Sequence, residues 1–142
     1  MKKTSILIIL SIFLFAACNK KDKVMSKTDI LTSGTWKITA LVEDNDGNGS
    51  YETDAYALFQ PCTKDDYYTF KSGGQLEMNE GPSKCDPADP QTDNVSWQFT
   101  SNETKINVDG TEYDIDALNN STFRIKENYP GLYGAMLTFT KR

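Results

Sequence analysis

The chain of 142 residues contains no histidine. That absence removes Ser–His and Cys–His nucleophile pairs and His-bound zinc together. Basic residues are the minority, with 15 Lys and Arg against 20 Asp and Glu and a formal net charge of -5. No basic stripe interrupts the acidic surface, so nucleic acid is not an expected partner. No apolar run approaches the roughly 20 residues that a spanning helix needs. The length suits one domain with one modest core.

What is present begins with an export signature. Lys2-Lys3 precede an apolar stretch of about a dozen residues, Ile6 to Ala17, the proportions of a signal-peptide core. It ends in Leu14-Phe15-Ala16-Ala17-Cys18, which resembles a lipobox, the cleavage site of bacterial lipoproteins, although Phe15 stands where leucine is usual. The expectation is removal of residues 1–17 and lipidation of Cys18, whose sulfur takes the lipid. Two or more acyl chains hold a protein stably on a bilayer. Residues 18–32, polar and carrying Lys20, Lys21, Asp22, Lys23 and Lys27, read as a solvated tether. The expected address is the cell envelope, at the outer membrane of a Gram-negative bacterium, with the membrane reached only through that lipid.

From residue 33 to 142 the hydrophobic period is two. Trp36, Ile38, Ala40 and Val42 alternate with Lys37, Thr39, Leu41 and Glu43; Tyr68 and Phe70, Leu76 and Met78, and Val95, Trp97 and Phe99 behave likewise. So do Ile106 and Val108, then Tyr113, Ile115 and Ala117, then Phe123 and Ile125, and finally Tyr133, Ala135, Leu137 and Phe139. One dry face and one wet face are the mark of antiparallel sheets. Ser72-Gly73-Gly74 and Asp109-Gly110 are hairpin signals, and Ser101-Asn102-Glu103 and Asn119-Asn120 are turn-like. Helical spacing shows only at residues 54–59. The expected fold is all-β: about eight strands in an up-and-down antiparallel barrel, which removes exposed edges, with a β-sandwich as the alternative.

Gly34-Thr35-Trp36 at the first strand is similar to the Gly-x-Trp signature of lipocalins. Pro61-Cys62-Thr63-Lys64-Asp65-Asp66-Tyr67-Tyr68-Thr69-Phe70, followed by Glu80-Gly81 and Lys84-Cys85-Asp86-Pro87, resembles the lipocalin-like domain of bacterial lipoproteins. The resemblance runs from about Leu31 to Arg142 and implies a lipocalin-like barrel on a lipid anchor. It implies no particular ligand, and the chain is shorter than a typical lipocalin.

With Cys18 assigned to lipid, Cys62 and Cys85 remain as a pair in an oxidising compartment. Their loop is worth on the order of 3 kcal/mol by the chain-entropy model. A redox-active pair would sit close in sequence, as Cys-x-x-Cys, and these do not.

Three further candidates each have a plainer alternative. In Asp44-Asn45-Asp46-Gly47-Asn48-Gly49-Ser50-Tyr51-Glu52, oxygens fall at alternate positions as in half a calcium loop, with Asp44, Asp46, Asn48, Ser50 and Glu52 as ligands. The bidentate Glu that should close such a loop is replaced by Ala55, and the alternative is an Asx-rich turn. Calcium is thus the one cofactor the sequence raises, and none is required. The inward residues Trp36, Tyr68, Phe70, Trp97, Phe99, Tyr113 and Phe123 line a cavity for a small apolar ligand or else simply fill the barrel. Tyr129-Pro130-Gly131-Leu132-Tyr133-Gly134 is a contact loop for a protein or glycan, or a cap on one barrel end.

Carboxylates at Asp65, Asp66, Asp86, Asp89, Asp114 and Asp116 show no opposed pair of the kind a glycosidase needs. Enzyme activity is not expected. The leading reading is a monomeric, membrane-anchored binding module for a small apolar ligand. The second is an interaction lipoprotein with a packed barrel that binds its partner through loops.

Overall fold

The computed structural model describes residues 24–129 and 133–142. Cys18 and the proposed signal segment lie outside the described residues. The strands are β1 (Thr35–Asp44), β2 (Thr53–Asp54), β3 (Tyr67–Lys71), β4 (Gln75–Asn79), β5 (Thr92–Thr100), β6 (Lys105–Val108), β7 (Thr111–Leu118), β8 (Thr122–Tyr129) and β9 (Tyr133–Lys141). Each pairs antiparallel with its neighbour from β3 through β9. The first long strand joins both ends of that series: Ile38 lies opposite Phe139, and Trp36 opposite Tyr68. The ribbon therefore closes into an eight-stranded barrel, and the sandwich alternative is set aside. The short β2 lies outside that ring on the end of β1, with Glu43 opposite Thr53.

Local chemistry accounts for the turns. Asp109 and Gly110 both take positive φ, 48° and 86°, the geometry that matches a two-residue hairpin to the twist of its strands. Gly74, at φ 78°, closes the β3–β4 hairpin by donating its amide to Lys71 O. Between β2 and β3 the helices are short: a 3₁₀ turn at Tyr56–Leu58, inside the stretch where the sequence shows helical spacing, and α2 (Pro61–Lys64).

Two bulges correct the expected strand faces. An extra residue on one strand shifts every later side chain to the other face. Between Ile38 and Ala40 the register slips, so Leu41 pairs with Leu137 inside the barrel, while Ala40 and Val42 turn outward. A second slip between Ile115 and Ala117 turns Ala117 outward, opposite Arg124, and brings Leu118 opposite the buried Phe123. The bulged Asp116 is tied down outside by Arg124 at 2.6 Å and Lys126 at 3.2 Å.

The expected tether is also corrected. Lys27–Thr32 is a helix, α1, and belongs to the folded domain. Ser26 caps it: its hydroxyl accepts from the Asp29 amide at 3.0 Å, and the Asp29 carboxylate accepts from the Ser26 amide at 3.2 Å. One apolar residue explains the docking. Leu31 is fully buried, and its carbonyl accepts the Trp36 indole N–H at 2.8 Å. Lys27 reaches the Glu103 carbonyl across the β5–β6 turn, so α1 closes this end of the barrel. Gly34 links helix to strand, where a Cβ would lie 2.6 Å from Lys141 Cε, because that lysine crosses the Trp36 ring.

The core packs by edge-on aromatic contacts. Phe70 meets Trp97 and Phe123 at 5.4 and 5.7 Å, nearly perpendicular, and Phe123 stacks on Phe139 at 5.4 Å.

Candidate functional site

The floor is solid and the upper barrel is not. A cavity of about 240 Å³ lies inside the sheet, lined among others by Leu41, Tyr68, Leu76, Met78, Tyr113 and Leu137. Of the seven expected ligand residues, Tyr68, Phe70, Tyr113 and Phe123 line it. Trp36 is fully buried in the floor beneath α1, and Trp97 is buried with its indole N–H donated to Lys71 O at 3.1 Å. Trp97 and Phe99 instead border an outer hollow that also touches Thr28 of α1. Sequence reasoning misses several lining residues. Leu41 is hidden by the bulge before it, whereas Met78 and Leu137 alternate inward in sequence but carry no local mark of a ligand contact.

At the end away from α1, β3 and β4 carry the wall into a second, polar space of about 320 Å³, bordered by Asp66, Tyr68, Met78, Glu80, Asp89 and Asp93. Tyr68 and Met78 belong to both spaces and form their common wall. Burial pushes the Asp66 carboxyl up to about 6, helped by the charges of Glu80 and Asp65. Burial likewise lifts the Tyr68 phenol to about 12, with Asp66 and Glu80 adding to it. Among the described residues, no donor reaches the buried Oδ1 atoms of Asp65 and Asp66. Gly81, at φ 66°, is what lets the chain pass so close: a Cβ there would lie 2.4 Å from the Asp65 carbonyl oxygen.

The raised Asp66 value has a signed consequence. A carboxyl with a higher pKa folded than unfolded binds more protons in the native state, so its charge opposes folding at high pH. Asp66→Asn is expected to gain stability on the order of 1 kcal/mol above pH ~6, a figure already reduced for solvent screening. The gain fades as pH falls and is gone below about pH 4. Urea melts at several pH values read this; equal stabilities at pH ~7 count against it.

Cys62 and Cys85 form a disulfide across a sequence separation of 23, joining α2 to the 80–91 loop at the rim of the polar space. Reduction is expected to lower the melting temperature on the order of 10 °C, from roughly 3 kcal/mol of loop entropy. A scan with and without reductant measures this, and a change under about 2 °C would refute it.

The Asp44–Glu52 segment is a turn closed by its own side chains. Asp44 is buried, and its carboxylate accepts from the amides of Asn48 at 3.1 Å and Gly49 at 2.8 Å. Burial works to raise its pKa, but the backbone amides of Gly49, Asn48 and Gly47 outweigh that and lower it. Asp46 accepts from the Asn48 amide at 3.2 Å, and the Asn48 side chain accepts from the Ser50 amide at 2.7 Å. The Glu52 side chain is exposed, while its amide pairs with Glu43 O. Among the described residues, no three His, Cys, Asp or Glu side chains gather as a metal site.

At the rim, Tyr129 and Tyr133 stack at 4.9 Å with 44% of each residue exposed. The Tyr129 hydroxyl donates to Glu127 at 2.6 Å, which together with that carboxylate's charge raises its pKa to about 12.

A closed antiparallel barrel with a solid floor and an apolar space above it defines a lipocalin-like binding barrel. The chain belongs to the lipocalin-like domain family, whose model matches residues 32–125. The fold is similar to that of a DUF4847-family protein from Bacteroides vulgatus ATCC 8482 (TM-score 0.51, 11% identity, covering 82% of this chain and 98% of that one). A lipocalin-like protein from Bacteroides uniformis ATCC 8492 also matches, at TM-score 0.48 and 14% identity, over 80% of this chain and 99% of that one. No curated protein matches the chain. The family is generally a binding fold and not an enzymatic one.

Proposed function

We propose that this protein is a lipid-anchored binding module that holds a small apolar ligand inside its barrel at the bacterial cell envelope. The observation that carries the reading is the apolar cavity of about 240 Å³ above the Trp36 floor. A barrel built only for stability would fill that space, since voids forfeit contacts on every wall. Burying about 250 Å² of apolar ligand surface at roughly 25 cal/mol/Å² supplies about 6 kcal/mol before the cost of association, which sets tens of micromolar as the tightest affinity this term alone supports. Titration with a neutral apolar fluorescent dye tests this. A saturable, single-site rise in emission is the expected result, and emission that climbs linearly without saturating overturns it.

The anchor rests on the residues before the folded domain, Leu14-Phe15-Ala16-Ala17-Cys18. Labelled palmitate fed to a Gram-negative host expressing the whole chain is expected to mark the protein, and Cys18→Ser is expected to lose the label and appear in the soluble periplasmic fraction. Equal labelling of both chains would remove Cys18 from the reading.

A further inference from the structure

The carrier reading leaves the ligand's charge open, and the rim of the cavity decides it. Past the ends of β3 and β4 the wall of the cavity continues into the polar space. Asp66 lies two residues before the inward Tyr68, and Glu80 two residues after the inward Met78. Asp93 is opposite Met78. On the other side, Glu127 and Glu43 both lie opposite Ala135, which lines the cavity as Glu127 does. Asp66, Glu80 and Asp93 border the polar space that shares Tyr68 and Met78 with the cavity, Glu127 lines the cavity itself, and Glu43 lies in register with Ala135 of its wall.

Among the described residues, no basic side chain answers them from inside. The lysines at this end are engaged with backbone: Lys64 donates to Ala57 O at 3.3 Å, and Lys84 to the Pro87 and Asp89 carbonyls. Lys126 borders the cavity, yet its ammonium reaches outward to Asp116 at 3.2 Å. The carboxylates also do not converge on a point, so the rim is a spread negative field and not an ion cage. Two further features suit a positive group there. The Asp66 Oδ1 atom is buried at the border of the polar space with no donor on it. The stacked, exposed Tyr129–Tyr133 pair stands beside Glu127, and aromatic faces attract cations.

We propose that the cavity selects a cationic amphiphile, with its apolar body inside the barrel and an ammonium-type group at the rim formed by Asp66, Glu80, Asp93, Glu127 and Glu43, and that it rejects fatty acids and other anionic amphiphiles. This rests on the carrier reading for the existence of the site and adds the charge class of its occupant. An apolar chain alone gains the same burial with any head group. A carboxylate head would be desolvated among like charges, whereas an ammonium replaces its water with fixed anions.

Three ligands with the same octyl chain separate the terms: octyltrimethylammonium, octanol and octanoate, each displacing the neutral dye at about pH 8, below micelle formation. The expected order is ammonium, then alcohol, then carboxylate, with at least a tenfold span from first to last at low salt. Molar salt shortens the Debye length to about 3 Å and is expected to collapse most of that span. Asp66→Asn with Glu80→Gln is expected to shrink the ammonium-to-carboxylate ratio at least threefold. If octanol displaces the dye but the ammonium and carboxylate ligands match, or the carboxylate binds better, the charge inference is overturned while the carrier reading stands. If nothing displaces the dye and the dye itself fails to saturate, the carrier reading falls and takes this one with it. The salt series on the unaltered protein discriminates between these outcomes even if the double variant fails to fold.

Discussion

Trp36→Ala is expected to destabilise the domain by about 3–5 kcal/mol, a large part of the stability of any single domain. The residue is fully buried and touches three systems at once. Its indole N–H holds the Leu31 carbonyl and so docks α1; its ring meets Phe123 edge-on at 6.1 Å; Lys141 crosses its face 5.5 Å from the centroid. Trp36→Phe separates packing from hydrogen bonding. It retains an aromatic ring but deletes the donor to Leu31, for an expected cost of about 1–3 kcal/mol. Urea denaturation of both variants gives the comparison. A loss below about 1 kcal/mol for the alanine variant would mean that the floor is not where the barrel's stability sits. The melt of Trp36→Ala is also expected to release α1 early, visible as faster amide exchange at residues 27–32 than in the strands.

Ala135→Phe is expected to weaken binding of the neutral dye at least tenfold, about 1.4 kcal/mol or more. Ala135 lines the cavity between Glu43 and Glu127, so a phenyl ring there projects into space that the ligand is proposed to use. Because the ring enters a void and not a packed core, stability is expected to hold within about 1 kcal/mol. Met136→Ala is the comparison, since Met136 pairs with the outward Val42 and is expected to leave affinity unchanged. Equal dye binding by Ala135→Phe and the unaltered protein would place the ligand outside the barrel, and the exposed Tyr129–Tyr133 pair would then become the leading contact surface.

Much of the barrel is legible in alternation alone. The β3–β4 hairpin around Gly74 and the β6–β7 hairpin at Asp109-Gly110 follow from residues that accept positive φ. Where alternation fails, one residue is responsible each time. Thr39 and Asp116 occupy bulges, and a pattern read at period two carries straight through them to the wrong face. Both Thr and Asp also suit an ordinary outward position, so neither leaves a local mark.

The α1 segment is obscured for a different reason. Six residues with a single large apolar side chain that becomes buried, Leu31, are too few to show a helical period. The capping pair Ser26 and Asp29 is the signal that the sequence does offer, with Asp in place of the usual Glu or Gln. The acidic rim lies closer to view. Continuing the β3 alternation two residues back from Tyr68 reaches Asp66, and continuing that of β4 two residues on from Met78 reaches Glu80. As charges flanking strands, they carry no local sign of bordering one space.

The sequence by itself determined strand periodicity, turn positions, the pairing of Cys62 with Cys85 and the family, because each depends on neighbours along the chain or on residue type. Only the tertiary structure decided which inward side chains are floor and which are wall, and how much room stays between them. That room depends on where the ribbon closes, β1 against β9, and on bulges that re-aim side chains across the barrel. Closure joins residues about a hundred positions apart, such as Thr39 and Thr140. No local pattern encodes the distance across the ring, and the empty volume is a small difference between that distance and the side chains set within it.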